Sequence, residues 1–377
     1  MRSNLLAHVR RVVVKIGSGV LSDAQGIEPS QIDAIAAQIA QLRQRGYEII
    51  IVSSGAVAAG KSSLGIVGRP STIPLKQAAA AIGQTVLMRT WGEAFLRHGL
   101  TVAQVLLTRD DLANRRRYLN SRNTLMTLLD HQIIPIINEN DTVVIDEIRF
   151  GDNDNLSALV ASLVEANLLV ILSDVSGLYN RDPRSDPDAE LIPCVERIND
   201  EIIAMAGSTG TDLGTGGMAT KIKAAKRASL SGIGTAIVNG RIANTLHAFF
   251  AGEEIGTLFL PARDRMTAKK HWIAFSKKTR GKLTVDEGAR IAMVERGKSL
   301  LPSGIIGVEG GFDRGDAVRL CSIDGTELAT GVINYALTEL LRIMGHKSSD
   351  IEAILGYKYA DEVVHRDNLV LKTQQTP

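Results

Sequence analysis

Four stretches of this 377-residue chain carry residue types suited to holding a phosphate chain. Val12-Val13-Val14-Lys15-Ile16-Gly17-Ser18-Gly19 is an apolar run that delivers a lysine and then a glycine-containing turn. An ammonium beside exposed backbone N–H groups is what a polyphosphate requires. Ile51-Val52-Ser53-Ser54-Gly55-Ala56 repeats the arrangement with small residues that let a ligand approach the backbone. Leu172-Ser173-Asp174 ends a third apolar run in a polar turn, and Leu213-Gly214-Thr215-Gly216-Gly217-Met218-Ala219-Thr220-Lys221 opens a helix on glycines. There the positive end of the helix and the charge of Lys221 act on the same anion. One such turn is ordinary in α/β proteins; their recurrence points to phosphate chemistry.

Two loops rich in Asn and Asp, Asn138-Glu139-Asn140-Asp141 and Gly151-Asp152-Asn153-Asp154-Asn155, flank a stretch from Val143 to Phe150 that alternates apolar and charged residues. Helix capping and turn formation explain one loop of this composition. Two of them around an expected hairpin beside the main sheet read as the edge of a binding site.

Several other chemistries lack their signatures. No G-x-x-x-x-G-K-[ST] sequence is present, so a P-loop enzyme is not expected. His365-Arg366-Asp367 matches the catalytic loop of protein kinases, yet no D-F-G follows it. No G-x-G-x-x-G opens a helix after the first strand, which disfavours a dinucleotide-binding dehydrogenase. Cys194 and Cys321 stand far apart without a C-x-x-C or histidine-rich neighbourhood, so neither a disulfide framework nor a zinc site is read, and no metal ligand is assigned. The polar N-terminus and the lack of any apolar run near about 18 residues exclude a secretory h-region and a membrane span. A reduced, cytoplasmic setting is expected. Without a signal peptide, Asn140-Asp141-Thr142 and Asn155-Leu156-Ser157 are chance glycosylation matches.

The elements that must position these residues alternate in type. Val12 to Ile16, Tyr47 to Val52, Thr101 to Leu107, Ile133 to Ile137, Leu168 to Leu172 and Thr235 to Val238 read as buried parallel strands. Between them, Pro29 to Arg45, Ile73 to His98, Asp111 to Asp130, Asn155 to Ala166 and Gly217 to Ser231 read as helices. The pattern is a repeated β-α-β unit with a mostly parallel central sheet flanked by helices. From Arg263 the sequence becomes basic and loses this rhythm, and beyond it Gly- and Asp-rich turns separate short strands. The expected organisation is an α/β domain over 1–262, a basic linker over 263–281, a small β-rich domain over 282–361 and a tail over 362–377.

Taken together, Ser54-Gly55-Ala56, Ile137-Asn138-Glu139-Asn140-Asp141, Gly151 to Ala158 and Gly214 to Lys221 resemble the amino acid kinase family. The resemblance covers nearly the whole chain. Leu300-Leu301-Pro302-Ser303-Gly304-Ile305 and Phe312-Asp313-Arg314-Gly315-Asp316 look like a PUA domain behind it. The resemblance implies ATP and Mg²⁺ as cofactors, with nucleotide contacts at Lys15, Ser173, Asp174, Thr215, Gly216, Gly217, Met218, Ala219, Thr220 and Lys221. The family often has threonine where Ser173 stands; the hydroxyl is retained. Lys15, Lys221 and Asp154 are the implied catalytic set, with Asp154 or Asp152 holding the lysines. Ser54, Asp141 and Asn153 are the implied contacts to the second substrate.

That substrate, on the resemblance, is free glutamate, phosphorylated on its side-chain carboxylate as the first step toward proline, with proline as feedback inhibitor and a homo-oligomeric assembly. The chemistry is self-consistent. A carboxylate with a pKa of about 4.3 is ionised at neutral pH, so its attack on phosphorus requires no general base. What the site must overcome is repulsion between two anions. N-acetylglutamate is the nearest alternative acceptor, but it has no ammonium to face Asp141. RNA binding through the C-terminal domain is disfavoured, since Gly281 to Asp361 carries nine Lys/Arg against twelve Asp/Glu and few aromatics.

Overall fold

Val12, Val13, Val14 and Ile16 are wholly buried because their strand is paired on both edges. This is β1 (Arg11–Ile16), hydrogen-bonded in parallel to β2 (Glu48–Ser53) on one side and β5 (Leu168–Ser173) on the other. The computed structural model that shows this describes residues 2–23, 26–66, 68, 70–143, 153–207, 217–262 and 279–372. With β3 (Val102–Leu107), β4 (Ile134–Glu139), β6 (Cys194–Val195), β7 (Gly234–Asn239) and β8 (Thr257–Phe259), the sheet runs β3-β4-β2-β1-β5-β7-β8-β6. Six strands are parallel, as their β-branched runs predict. The short β8 turns antiparallel to β7 and carries β6 along its outer edge. A two-residue strand leaves no period to detect, and β6 escaped the sequence reading for that reason.

Register decides where the chemistry emerges. Ile16 pairs with Ser53 and with Leu172, so β1 and β2 end level and β5 runs one residue further, which brings Gly17, Ser54 and Ser173 along one edge. The chain leaves β1 toward β2 and leaves β5 toward β7, on the opposite side. A crevice at the carboxyl ends of strands, where connections diverge, is the usual ligand position in such sheets.

Helices meet the expected positions closely, with two informative differences. The expected helix over 111–130 is divided at Asn114 into Arg109–Ala113 and Arg115–Asp130. The helix expected from Asn155 begins at Asn153 and ends at Leu163. Asn153 and Asp154 therefore belong to its first turn, where a carboxylate complements the helix dipole. A further contact is made by backbone alone. A Cβ on Gly83 would lie 1.8 Å from the Ala56 carbonyl oxygen, and one on Gly60 would lie 2.0 Å from that of Ala79. The helices Ala56–Gly60 and Ile73–Leu96 touch there because neither glycine has a side chain.

The chain divides into two units, one of residues 1–113 with 121–263 and the other of 114–120 with 264–377. In the second, β9 (Gly281–Val285), β10 (Ile305–Gly310), β11 (Ala317–Cys321), β12 (Glu327–Val332) and β13 (Leu369–Leu371) form a sheet of order β10-β9-β11-β12-β13. Among the described residues its core, including Leu283, Val318, Leu320, Tyr335 and Leu340, comes from residues beyond 280. The expected tail over 362–377 instead contributes β13, which pairs with β12, and His365-Arg366-Asp367 leads into the short turn before it. The expected hairpin from Val143 to Phe150 and most of the basic linker lie outside the described residues. No described helix is long and apolar enough to cross a membrane.

Candidate active site

Lys15 sits one residue from the end of β1, so its backbone is fixed by ladders on both sides. Its ammonium lies 2.6 Å from Oδ1 of Asp154, a carboxylate with no solvent exposure. The other oxygen of Asp154 is 3.7 Å from the Lys221 ammonium and accepts a 2.6 Å hydrogen bond from the Thr220 hydroxyl. Lys221 and Thr220 come from the first turn of the helix Met218–Leu230. Three elements thus bring two buried cations to one buried anion.

Burial alone would push the Asp154 carboxyl upward, but Lys15 and Lys221, with the Thr220 hydroxyl, outweigh it and hold the group below its ordinary value. Lys221 is driven down by burial, against the pull of Asp154, and Lys15 depresses it further. Asp154 lies behind the lysines and does not line the cleft that they face. Its two oxygens are taken up by Lys15, Lys221 and Thr220; Asp152 falls outside the described residues.

The cleft has a volume of about 590 Å³ and is open at the carboxyl edge of the sheet. Lys15, Gly17, Ser173, Asp174, Gly217, Met218 and Lys221 line one part of it. The Ser173 hydroxyl donates to Asp174 at 3.1 Å, and a Cβ on Gly19 would come 3.3 Å from that carboxylate. Ala219 is exposed and outside the lining, and Thr220 is turned to Asp154. Thr215 and Gly216 lie outside the described residues.

Ser54, Asn153 and Asp141 line another part of the same cleft. The Asn153 amide nitrogen donates to the Ser53 carbonyl at 3.1 Å, the Ser54 hydroxyl at 2.9 Å and Asn138 Oδ1 at 3.0 Å. Asn138 in turn donates to Gln84 Oε1 at 2.8 Å. Asp141 Oδ1 lies 3.8 Å from the Lys76 ammonium. Burial raises Asp141 above its ordinary value although Lys76 opposes this, and burial followed by the charge of Asp141 raises Glu139. Gly55 adopts φ +104°, a left-handed conformation that favours glycine, and turns the chain from β2 into the next helix.

Sequence reading missed Lys76 and Gln84 as site residues and read Asn138 only as part of a loop at the site's edge. The first two sit inside what reads as an Ala-rich packing helix. A signal was available for Lys76: it interrupts an apolar run near the start of that helix, where a lysine has no reason to face inward unless something there is anionic.

A model of the amino acid kinase family matches residues 10–239, and a model of the PUA domain matches 281–355. The chain belongs to the amino acid kinase family and carries a PUA domain at its C-terminal side. It is 62% identical to a protein named glutamate 5-kinase from Syntrophotalea carbinolica, over 99% of this chain and all of that one. Proteins of the same name from Geobacter sulfurreducens and Syntrophus aciditrophicus are 58% and 51% identical, each over 98% of this chain and 100% and 96% of theirs.

Proposed function

We infer that this chain catalyses the reaction for which these relatives are named: transfer of the γ-phosphoryl group of ATP to the side-chain carboxylate of L-glutamate, yielding L-glutamyl 5-phosphate and ADP. The observation that carries the reading is the pair of buried lysines held by Asp154 in a cleft that also contains Asn153, Ser54 and Asp141.

The cleft's chemistry suits an anionic nucleophile. The glutamate carboxylate is already ionised, so no proton must be removed, and the barrier is dominated by charge repulsion at the transferring group. Lys15 and Lys221 lower it by meeting the charge of the phosphoryl oxygens. Their positions are preset by a central strand and by a helix start, so they do not reorganise during the reaction. Asp154 keeps both chains extended toward the cleft. Backbone N–H groups around Gly17 and Gly55 add dipoles, and Ser173 with Asp174 borders the nucleotide.

Among the described residues no three His, Cys, Asp or Glu side chains form a metal cage. A Mg²⁺ would be borne mainly by the nucleotide's phosphates, since this ion is usually held by only one or two protein carboxylates. Asp174, an exposed carboxylate in the cleft lining, would hold such an ion. When bound, the ion supplies further neutralisation of the phosphates. Proline as a feedback inhibitor, a homo-oligomeric assembly and a cytoplasmic location complete the reading; the free cysteines Cys194 and Cys321 suit a reducing compartment.

The test is ADP release with glutamate, N-acetylglutamate and aspartate compared side by side, with and without proline. Glutamate should give a kcat/KM at least tenfold above either competitor. Equal or better use of N-acetylglutamate would overturn the assignment of substrate while leaving the phosphotransfer chemistry standing.

A further inference from the structure

We propose that Lys76 is a specificity residue that receives the α-carboxylate of the amino acid substrate, while Asp141 beside it receives the α-ammonium. The proposal rests on the reading of the cleft as a glutamate site.

Lys76 is buried, yet it lines the cleft together with Asp141, Asn153 and Ser54. A lysine is seldom buried without an anionic partner. Asp141 supplies one at 3.8 Å, a separation longer than the 2.6 Å between Lys15 and Asp154. Lys15 and Lys221 share Asp154 and serve the phosphates. Lys76 is the cation placed beside the carboxylate assigned to the substrate ammonium. A free amino acid carries an ammonium and a carboxylate on one carbon, so a site that recognises it needs an anion and a cation a few ångströms apart. Lys76 and Asp141 have that sign and spacing. Glu139 also lines the cleft and feels the charge of Asp141, so Lys76 is a cation set among carboxylates that would otherwise repel the substrate's own.

Two analogues separate the roles. 4-Aminobutyrate keeps the ammonium and the reacting carboxylate but lacks the α-carboxylate; glutarate keeps both carboxylates but lacks the ammonium. Binding of glutamate and of each analogue to the full chain is measured by calorimetry, or by competition where binding is weak, for wild type, Lys76→Met, Lys76→Arg and Asp141→Asn. Lys76→Met should weaken glutamate and glutarate by about ten- to a hundredfold, the range of one charge-assisted contact, and leave 4-aminobutyrate within threefold. Asp141→Asn should give the opposite pattern, sparing glutarate. Lys76→Arg should retain most of the preference for glutamate over 4-aminobutyrate and guards against a folding defect in the methionine variant. Equal weakening of all three ligands by Lys76→Met, or a change in glutamate affinity below threefold, would overturn the proposal. A wild-type chain that binds glutamate but releases no ADP would refute the kinase reading instead, and these affinities would still judge Lys76.

Discussion

Lys15 and Asp154 meet at 2.6 Å although one ends the first strand of the sheet and the other begins a helix that follows the fourth. The contact requires the order β4-β2-β1-β5, which sets β1 between strands formed before and after that helix. The proposed phosphate-binding cation is thus tied to the fold's crossover connection rather than to a local turn.

Replacing Lys15 or Lys221 with Ala should reduce kcat far more than it raises the glutamate KM, because both cations are assigned to the transferring group. A loss of about 10² to 10³ in kcat is expected for each, the range found when one stabilising donor is removed. Steady-state kinetics at saturating ATP checks this. A variant keeping more than a third of wild-type kcat removes that lysine from the mechanism.

Asp154→Asn should destabilise the protein by about 3–5 kcal/mol, since it removes the carboxylate that two buried ammonium groups share. The wild-type carboxyl is held below its unfolded value, so its contribution is present above the unfolded pKa of about 3.9 and is lost as pH falls through the folded value. The variant should lack that acid-side loss. Denaturant melts between pH 3 and 7 measure both effects, and ATP should recover part of the variant's stability by binding the two cations. Identical pH profiles for variant and wild type would contradict this account.

Gly83→Ala places a methyl group where Cβ would sit 1.8 Å from a backbone oxygen, so the two helices must separate. Overpacking of this kind costs about 1–3 kcal/mol, occasionally more. Because the Ala56–Gly60 helix begins just after Ser54 and Gly55, the glutamate KM should rise as well. Thermal melting and kinetics on the same preparation test the pairing; a stable variant with an unchanged KM would show that the helix contact does not support the site.

A chain ending at residue 263 should melt cooperatively and retain glutamate kinase activity, with any change confined to the proline response or assembly. Every described residue assigned to a substrate lies between Lys15 and Lys221, and among the described residues the two cores share none. Domains of this size bury a sufficient core alone. A folded but inactive fragment would mean that the C-terminal unit completes the site.

Much of this was legible beforehand. The six parallel strands announce themselves as β-branched runs, because both faces of such a strand are buried and the pattern survives without alternation. Lys15 and Ser173 are readable because they stand at the ends of those runs, and Lys221 because it follows a glycine loop that opens a helix. Asp154 was legible as a residue but not as a position: Asn and Asp look alike in loops and in first helical turns, and only the tertiary pairing with Lys15 and Thr220 fixes the helix start. Lys76 and Gln84 were hidden in a helix whose composition speaks of packing, since a periodicity of apolar residues says which face is inward without saying what waits there. β13 was missed because three residues become a strand only when β12 offers them an edge.

The seam at Gly60 and Gly83 has a mechanical consequence. Helices that meet through side chains can absorb a small slide by rotamer changes, whereas two backbones in direct contact have no such slack. A shift of the 24-residue helix Ile73–Leu96, whose surface bears exposed Ile73, Leu75, Ile82 and Leu96, would therefore be felt at Gly55 and Ser54. Lys76 and Gln84 ride on that same helix, so one rigid rod would carry a force from the protein surface to the amino acid's binding groups.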